Sequence, residues 1–134
     1  MKKINGNLIS KLLAVFAVIF IMFGGFLISK QKARTTEATH LPFYNVKLED
    51  VEDGIYRNRT ETSFMQVELE VYVENHQLKD IKIIESEGVD CESAKPIVQE
   101  MIKQNKTVVH AIKGAELGSL VYISCVDGAL HNVE

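Results

Sequence analysis

Residues 65–85 read MQVELEVYVENHQLKDIKIIE, and the first ten alternate without exception. Met65, Val67, Leu69, Val71 and Val73 take one face; Gln66, Glu68, Glu70, Tyr72 and Glu74 take the other. That two-residue period is a strand with one buried side. Asn75-His76 then supplies a tight turn, because Asn tolerates positive φ. Leu78 to Glu85 resumes the pattern with Ile81 and Ile83 on one face, so the stretch predicts a β-hairpin. Just upstream, Asp53 to Arg57 (DGIYR) reads as a turn entering an earlier strand.

Working outward toward the C-terminus, Ser86 to Asp90 reads as a loop around Gly88. A helix is expected from about Cys91 to Gln104, since Ala94, Ile97, Val98, Met101 and Ile102 recur at helical spacing. Asp90 or Ser93 would cap it, and Pro96 is tolerable only in its first turn. Thr107 to Ile112 (TVVHAI) is β-branched and apolar, a strand or an extended segment. After a Gly114-Ala115 turn, a last helix runs from about Leu117 to Leu130. Strands followed by helices make an α+β domain: a small antiparallel sheet with two packed helices.

The other end of the chain is of a different kind. Leu12 to Ser29 (LLAVFAVIFIMFGGFLIS) is an uncharged run of 18 residues. As a helix it spans about 27 Å, close to the hydrocarbon thickness of a bilayer. No polar stripe marks it as a buried soluble helix. A secretory signal shares the charged start, but its apolar region is shorter and an A-x-A-like site is missing here. The reading is an uncleaved membrane anchor. The chain thus divides into a short basic N-terminus (1–11), a transmembrane helix (12–29), a linker (30–45) whose core is the polar stretch Gln31–His40, and a folded domain (46–134). Lys2, Lys3 and Lys11 before the span balance Lys30, Lys32 and Arg34 after it, so charge does not orient it.

Of the 15 basic residues, four lie at or before Lys30, which leaves 11 against all 18 acidic ones and a net charge of −7 beyond the anchor. Nucleic acid, which needs a basic face, is not an expected partner. Cys91 and Cys125 lack CxxC spacing; they read either as a pair or as two partly buried small residues. The four histidines show no metal-ligand spacing, and no metal is assigned. Patterns for a catalytic nucleophile are missing.

The stretch 108–119, VVHAIKGAELGS, drives an apolar run into a glycine turn at a helix start. Backbone amides at such a turn can hold an anion. Equally, Glu116 can cap the helix itself. With this stretch the parts fall into a known order. DGIYR, then VELEVYVENHQLKDIKIIES, then a helix, then VVHAIKGAELGS and a closing helix resemble the FMN-binding domain family, over about Glu52 to Leu130. That family includes flavin-carrying subunits of membrane sodium-pumping and electron-transport complexes, and shows D-G-x-Y, a V-x-N-G-x-I hairpin and a late S-G-A-T-x-T-S segment.

The resemblance implies FMN held at the turn by Lys113, Gly114, Ala115, Glu116, Leu117 and Ser119. It further implies electron transfer or redox sensing, a membrane redox partner, and a domain on the extracytoplasmic side. Tyr56, Tyr72 and Tyr122 are candidates to stack on the flavin ring, or simply to pack. The departures bear on this directly. Glu116 stands where the family's threonine carries flavin through a phosphoester, and a carboxylate side chain has no hydroxyl to esterify, so binding would be non-covalent. Lys113 replaces a serine, Gly118 a second threonine, and His76 the hairpin glycine. Two functions follow: a membrane-anchored flavin domain, or the same fold with its flavin site lost, serving as a tethered accessory or interaction module.

Overall fold

A computed structural model describes residues 6–131 and divides the chain into two compact units, 1–33 and 34–134. Within the described residues the first unit is helical. It belongs to α1 (Gly6–Thr39), a helix of 34 residues that is long and apolar enough to cross a membrane. Its apolar side chains face outward all round, Phe20 being 80% exposed, as lipid-facing residues do. Lys2 and Lys3 lie outside the described residues.

Within the expected linker, residues 31–39 are helical. They continue the helix, because Gln, Lys, Ala, Arg and Glu are all good helix formers and no Gly or Pro interrupts them. Its last turns belong to the folded unit. Ala38 is fully buried, and the Glu37 carboxylate accepts the N–H and the hydroxyl of Ser63.

The folded unit is an α+β domain around one antiparallel sheet, β1 (Gly54–Glu61), β2 (Met65–Glu74) and β3 (Gln77–Gly88), in that spatial order. The alternation that predicts β2 is what the fold uses. Met65, Val67, Leu69, Val71 and Val73 are buried, and their neighbours face outward. Asn75 and His76 both take positive φ, at 52° and 59°, making the left-handed pair that a two-residue hairpin needs. β3 runs on through the expected loop to Gly88, because Gln66 to Met65 still pair with Glu87 and Gly88.

The single helix expected over 91–104 is two. α2 (Cys91–Ala94) ends before Pro96, and α3 (Ile97–Gln104) starts after it. Proline has no N–H to bond back, so the chain restarts the helix rather than carrying it through. Asp90 sits at the cap position with a left-handed φ of 61° and no side-chain capping bond. Residues 107–112 are extended without joining the sheet.

α4 (Glu116–His131) crosses the buried face of the sheet, and all residues from Val121 to Leu130 are buried. One of them is an acid. Asp127 is fully buried, and its carboxylate accepts the backbone N–H of Tyr44 (2.5 Å), Asn45 (3.0 Å) and Val46 (2.9 Å). Ser124 Oγ donates to the carbonyl of Pro42, and Thr107 Oγ1 donates to that of Val46. Residues 42–46 therefore form a strap whose backbone is satisfied by side chains rather than by a ladder. Tyr44 stacks on His131, with centroids 3.5 Å apart.

The cysteines are both free. Burial pushes the Cys125 thiol up to about 11. At neutral pH it is a packed, protonated side chain, near the carbonyls of Asn58 and Val67.

Asp127→Ala strands three N–H groups and is expected to destabilise the unit by about 2–5 kcal/mol. Asp127→Asn, which keeps one acceptor oxygen, is expected to lose less than Asp127→Ala does. Urea titration followed by near-ultraviolet dichroism ranks parent, Asn and Ala in that order; equal midpoints for parent and Ala refute the lock.

Candidate functional site

The Gly114 turn is built by the collision of an extended segment with the start of α4. Gly114 takes φ +88°, a conformation open to glycine and strained for other residues. Nothing lies within 4 Å of where its side chain would project, so the constraint is the backbone angle and not crowding. Ala115 N–H donates to the Ile112 carbonyl at 3.0 Å, which closes the turn.

The anion at this turn belongs to the chain itself. Glu116 Oε1 accepts the Gly114 N–H at 3.0 Å. That bond, with the backbone N–H of Glu116 and the charge of Lys113, lowers the Glu116 pKa below its ordinary value. A carboxylate in the first turn also meets the positive end of the helix dipole. The turn of VVHAIKGAELGS thus holds an anion, and that anion is the Glu116 side chain at the start of α4.

The six predicted binding residues lie together on one turn, yet the polar groups of Gly114, Glu116 and Ser119 already bond within the chain. Gly114 and Glu116 bond each other. Ser119 is buried; its Oγ donates to the Ala115 carbonyl (2.8 Å) and accepts the Ile112 N–H (3.0 Å). Ala115 is buried, Leu117 half-buried, and Lys113 exposed.

Gly118 explains itself by packing. A Cβ there would come within 2.9 Å of the Asp90 carbonyl and of the Cβ atoms of Asp90 and Ala94. The glycine lets α4 close on α2. None of the three tyrosines offers a free ring face at the turn. The Tyr56 hydroxyl donates to Glu52 O, the fully buried Tyr122 donates to Cys91 O, and Tyr72 stands on the outer sheet face opposite Ile55.

That outer face is a lattice of charges, with Arg57 on Glu68 at 2.8 Å and Arg59 on Glu61 at 2.7 Å and Glu85 at 3.3 Å. Exposed pairs like these stabilise by about 0–1 kcal/mol each and serve mainly to keep the face soluble. Among the described residues no cluster of His, Cys, Asp and Glu is arranged to hold a metal.

Sequence reasoning overlooked Asp127, although a lone acid within the apolar run LVYISCVDGAL is a signal that a buried partner awaits it. Comparison of the chain with protein-family models, with characterised proteins and with solved structures found no match.

Two outcomes test this account of the turn. Because its pKa is lowered on folding, Glu116 contributes stability that is complete above its ordinary value of 4.5 and is lost as pH falls through the folded value. Urea midpoints of the parent and Glu116→Gln should differ at neutral pH and converge in strong acid; a constant gap contradicts the cap. Gly118→Thr should cost about 1–3 kcal/mol by overpacking, read as a lowered midpoint.

Proposed function

We propose that the chain is a single-pass membrane protein whose folded unit acts as a tethered accessory module on the extracytoplasmic side, with the position that would take flavin closed by its own glutamate. The observation that carries this reading is the Glu116–Gly114 bond. A phosphate at the turn would have to displace a carboxylate covalently fixed two residues away, and then sit beside it. At about 6 Å that repulsion costs on the order of 1 kcal/mol in water-like surroundings and about four times as much at an effective dielectric of 20. Ser119, the remaining hydroxyl, is committed to Ile112 and Ala115.

A non-covalent FMN domain passing electrons to a membrane redox protein is the competing reading. Its support is the exposure of Lys113 and the open space around Gly114. In either case the anchor concentrates the domain at a membrane, where it meets membrane partners at high effective concentration.

FMN titration separates the two. The full chain in detergent micelles, followed by flavin fluorescence, should show no saturable binding below about 1 mM. Glu116→Thr frees the Gly114 amide and should bind measurably more tightly. Micromolar FMN binding by the parent overturns the closed-site reading. Silence from both chains removes the flavin ancestry of the turn.

A further inference from the structure

A second feature, remote in sequence from the Gly114 turn, has the marks of a built site. Between the strap, the β2–β3 hairpin turn and the segment after α3 lies a groove of about 520 Å³. That falls within the range of about 300–1,000 Å³ usual for small-molecule sites.

Its three walls are each fastened by hydrogen bonds. The strap wall is held at Val46, whose N–H goes to Asp127 and whose carbonyl accepts from Thr107. The segment after α3 is held at Asn105, whose Oδ1 accepts the Leu78 N–H (2.8 Å) and whose Nδ2 donates to His76 O (3.2 Å). The hairpin wall is held at His76, whose Nδ1 lies 3.2 Å from both the Leu48 and Val51 carbonyls. Two carbonyls can only accept, so Nδ1 carries the proton and Nε2 is left to bond something else.

Backbone strain converges here as well. Of five non-glycine residues with positive φ among the described residues, Asn45, His76 and Asn105 line this groove. Asn adopts that region readily; histidine, at φ 59°, does so at a cost of about 1–2 kcal/mol relative to glycine.

The charge of the lining is also distinctive. In a domain rich in acids, Lys47 and Lys106 both line the groove, against the single carboxylate of Glu49. Two ammonium groups suit a phosphate, and the free Nε2 of His76 suits a hydroxyl donor. Apart from the imidazole no aromatic ring lines the groove, so it offers no stacking platform for a flavin or a nucleobase. Glu49 and Asn45 instead add groups that bond hydroxyls.

We infer that the groove between the strap, the hairpin turn and the segment after α3 binds a polyol phosphate, its phosphate on Lys47 and Lys106 and a hydroxyl donating to His76 Nε2. The polyol phosphate is either a free sugar phosphate or the headgroup of an anionic lipid.

The test is amide NMR on the full chain in nanodiscs. In phosphatidylcholine discs, glucose 6-phosphate is titrated in; in a second arm the discs contain phosphatidylglycerol and no sugar phosphate is added. Saturable shifts confined to the three walls are expected in at least one arm, and the responding arm identifies the source. Lys47→Glu with Lys106→Glu should weaken the response at least tenfold. His76→Gly should weaken it too while holding or raising the unfolding midpoint, since glycine relieves the strained φ. No wall shifts in either arm, or undiminished shifts in the charge-reversed chain, overturn the assignment.

Discussion

The fold of the unit 34–134 turns on a carboxylate placed where solvent does not reach. Asp127 has no cationic partner in the bonds it makes; three consecutive amides of the strap take that role. Burying such a group without partners would cost several kcal/mol, and leaving the three amides unsatisfied would add to that. Each is the remedy for the other. The apolar contacts of Val67, Leu69, Val71 and Val73 against α4 drive collapse, but they are non-directional and would accept sliding of the helix along the sheet. The Asp127 triad fixes α4 to one register, Ser124 repeats the restraint at Pro42, and Thr107 fastens the strap to the segment after α3.

The same logic, a side chain meeting the needs of a distant or neighbouring backbone, recurs at the Gly114 turn and at the groove, with opposite results. At the turn the satisfying group is an anion of the chain, which leaves little for a ligand to gain. At the groove the satisfying groups bind the walls from behind. Asn105, Thr107 and Asp127 are consumed in holding backbone, while Lys47, Lys106 and His76 Nε2 are not consumed by that framework. A site becomes useful when its support and its reacting groups are different residues.

Much of the architecture was legible because it rests on short-range rules. The period of β2, the Asn75-His76 turn and the apolar length of α1 each follow from local sequence, and each is found. So is the α+β class that those elements imply. The places where sequence reading and structure part are places where local rules compete. In 31–40, polarity suggested a linker, but polarity and helix propensity are separate properties, and propensity prevailed to Thr39. Pro96 sat near enough to a helix start to be tolerated, yet the preceding four residues formed their own turn first. Residues 107–112 have the composition of a strand but stay extended outside the sheet, although β1 and β3 are both edge strands. The candidate turn was legible in position, since Gly114 marks it; the Glu116 bond across it was legible only as one of two alternatives. The groove was not legible, because Asn45, His76 and Asn105 come together only through long-range pairing. His76 as a substitute for a hairpin glycine was the one local hint.

The strap has a consequence for the order in which the molecule can be made. Tyr44 and Asp127 are 83 residues apart, and Thr107 and Ser124 are likewise distant from the carbonyls they serve. A chain emerging from the ribosome delivers α1 and the strap first, then the hairpin, then Thr107, and Ser124 and Asp127 only with α4. The hairpin can pair early, since its contacts are local. The strap amides meanwhile stay hydrated, and the buried face of the sheet stays uncovered until α4 arrives. At synthesis rates of about 5–20 residues per second that interval lasts several seconds. Folding of the unit is therefore gated by its last helix, and the period before closure is when this chain most needs protection from aggregation.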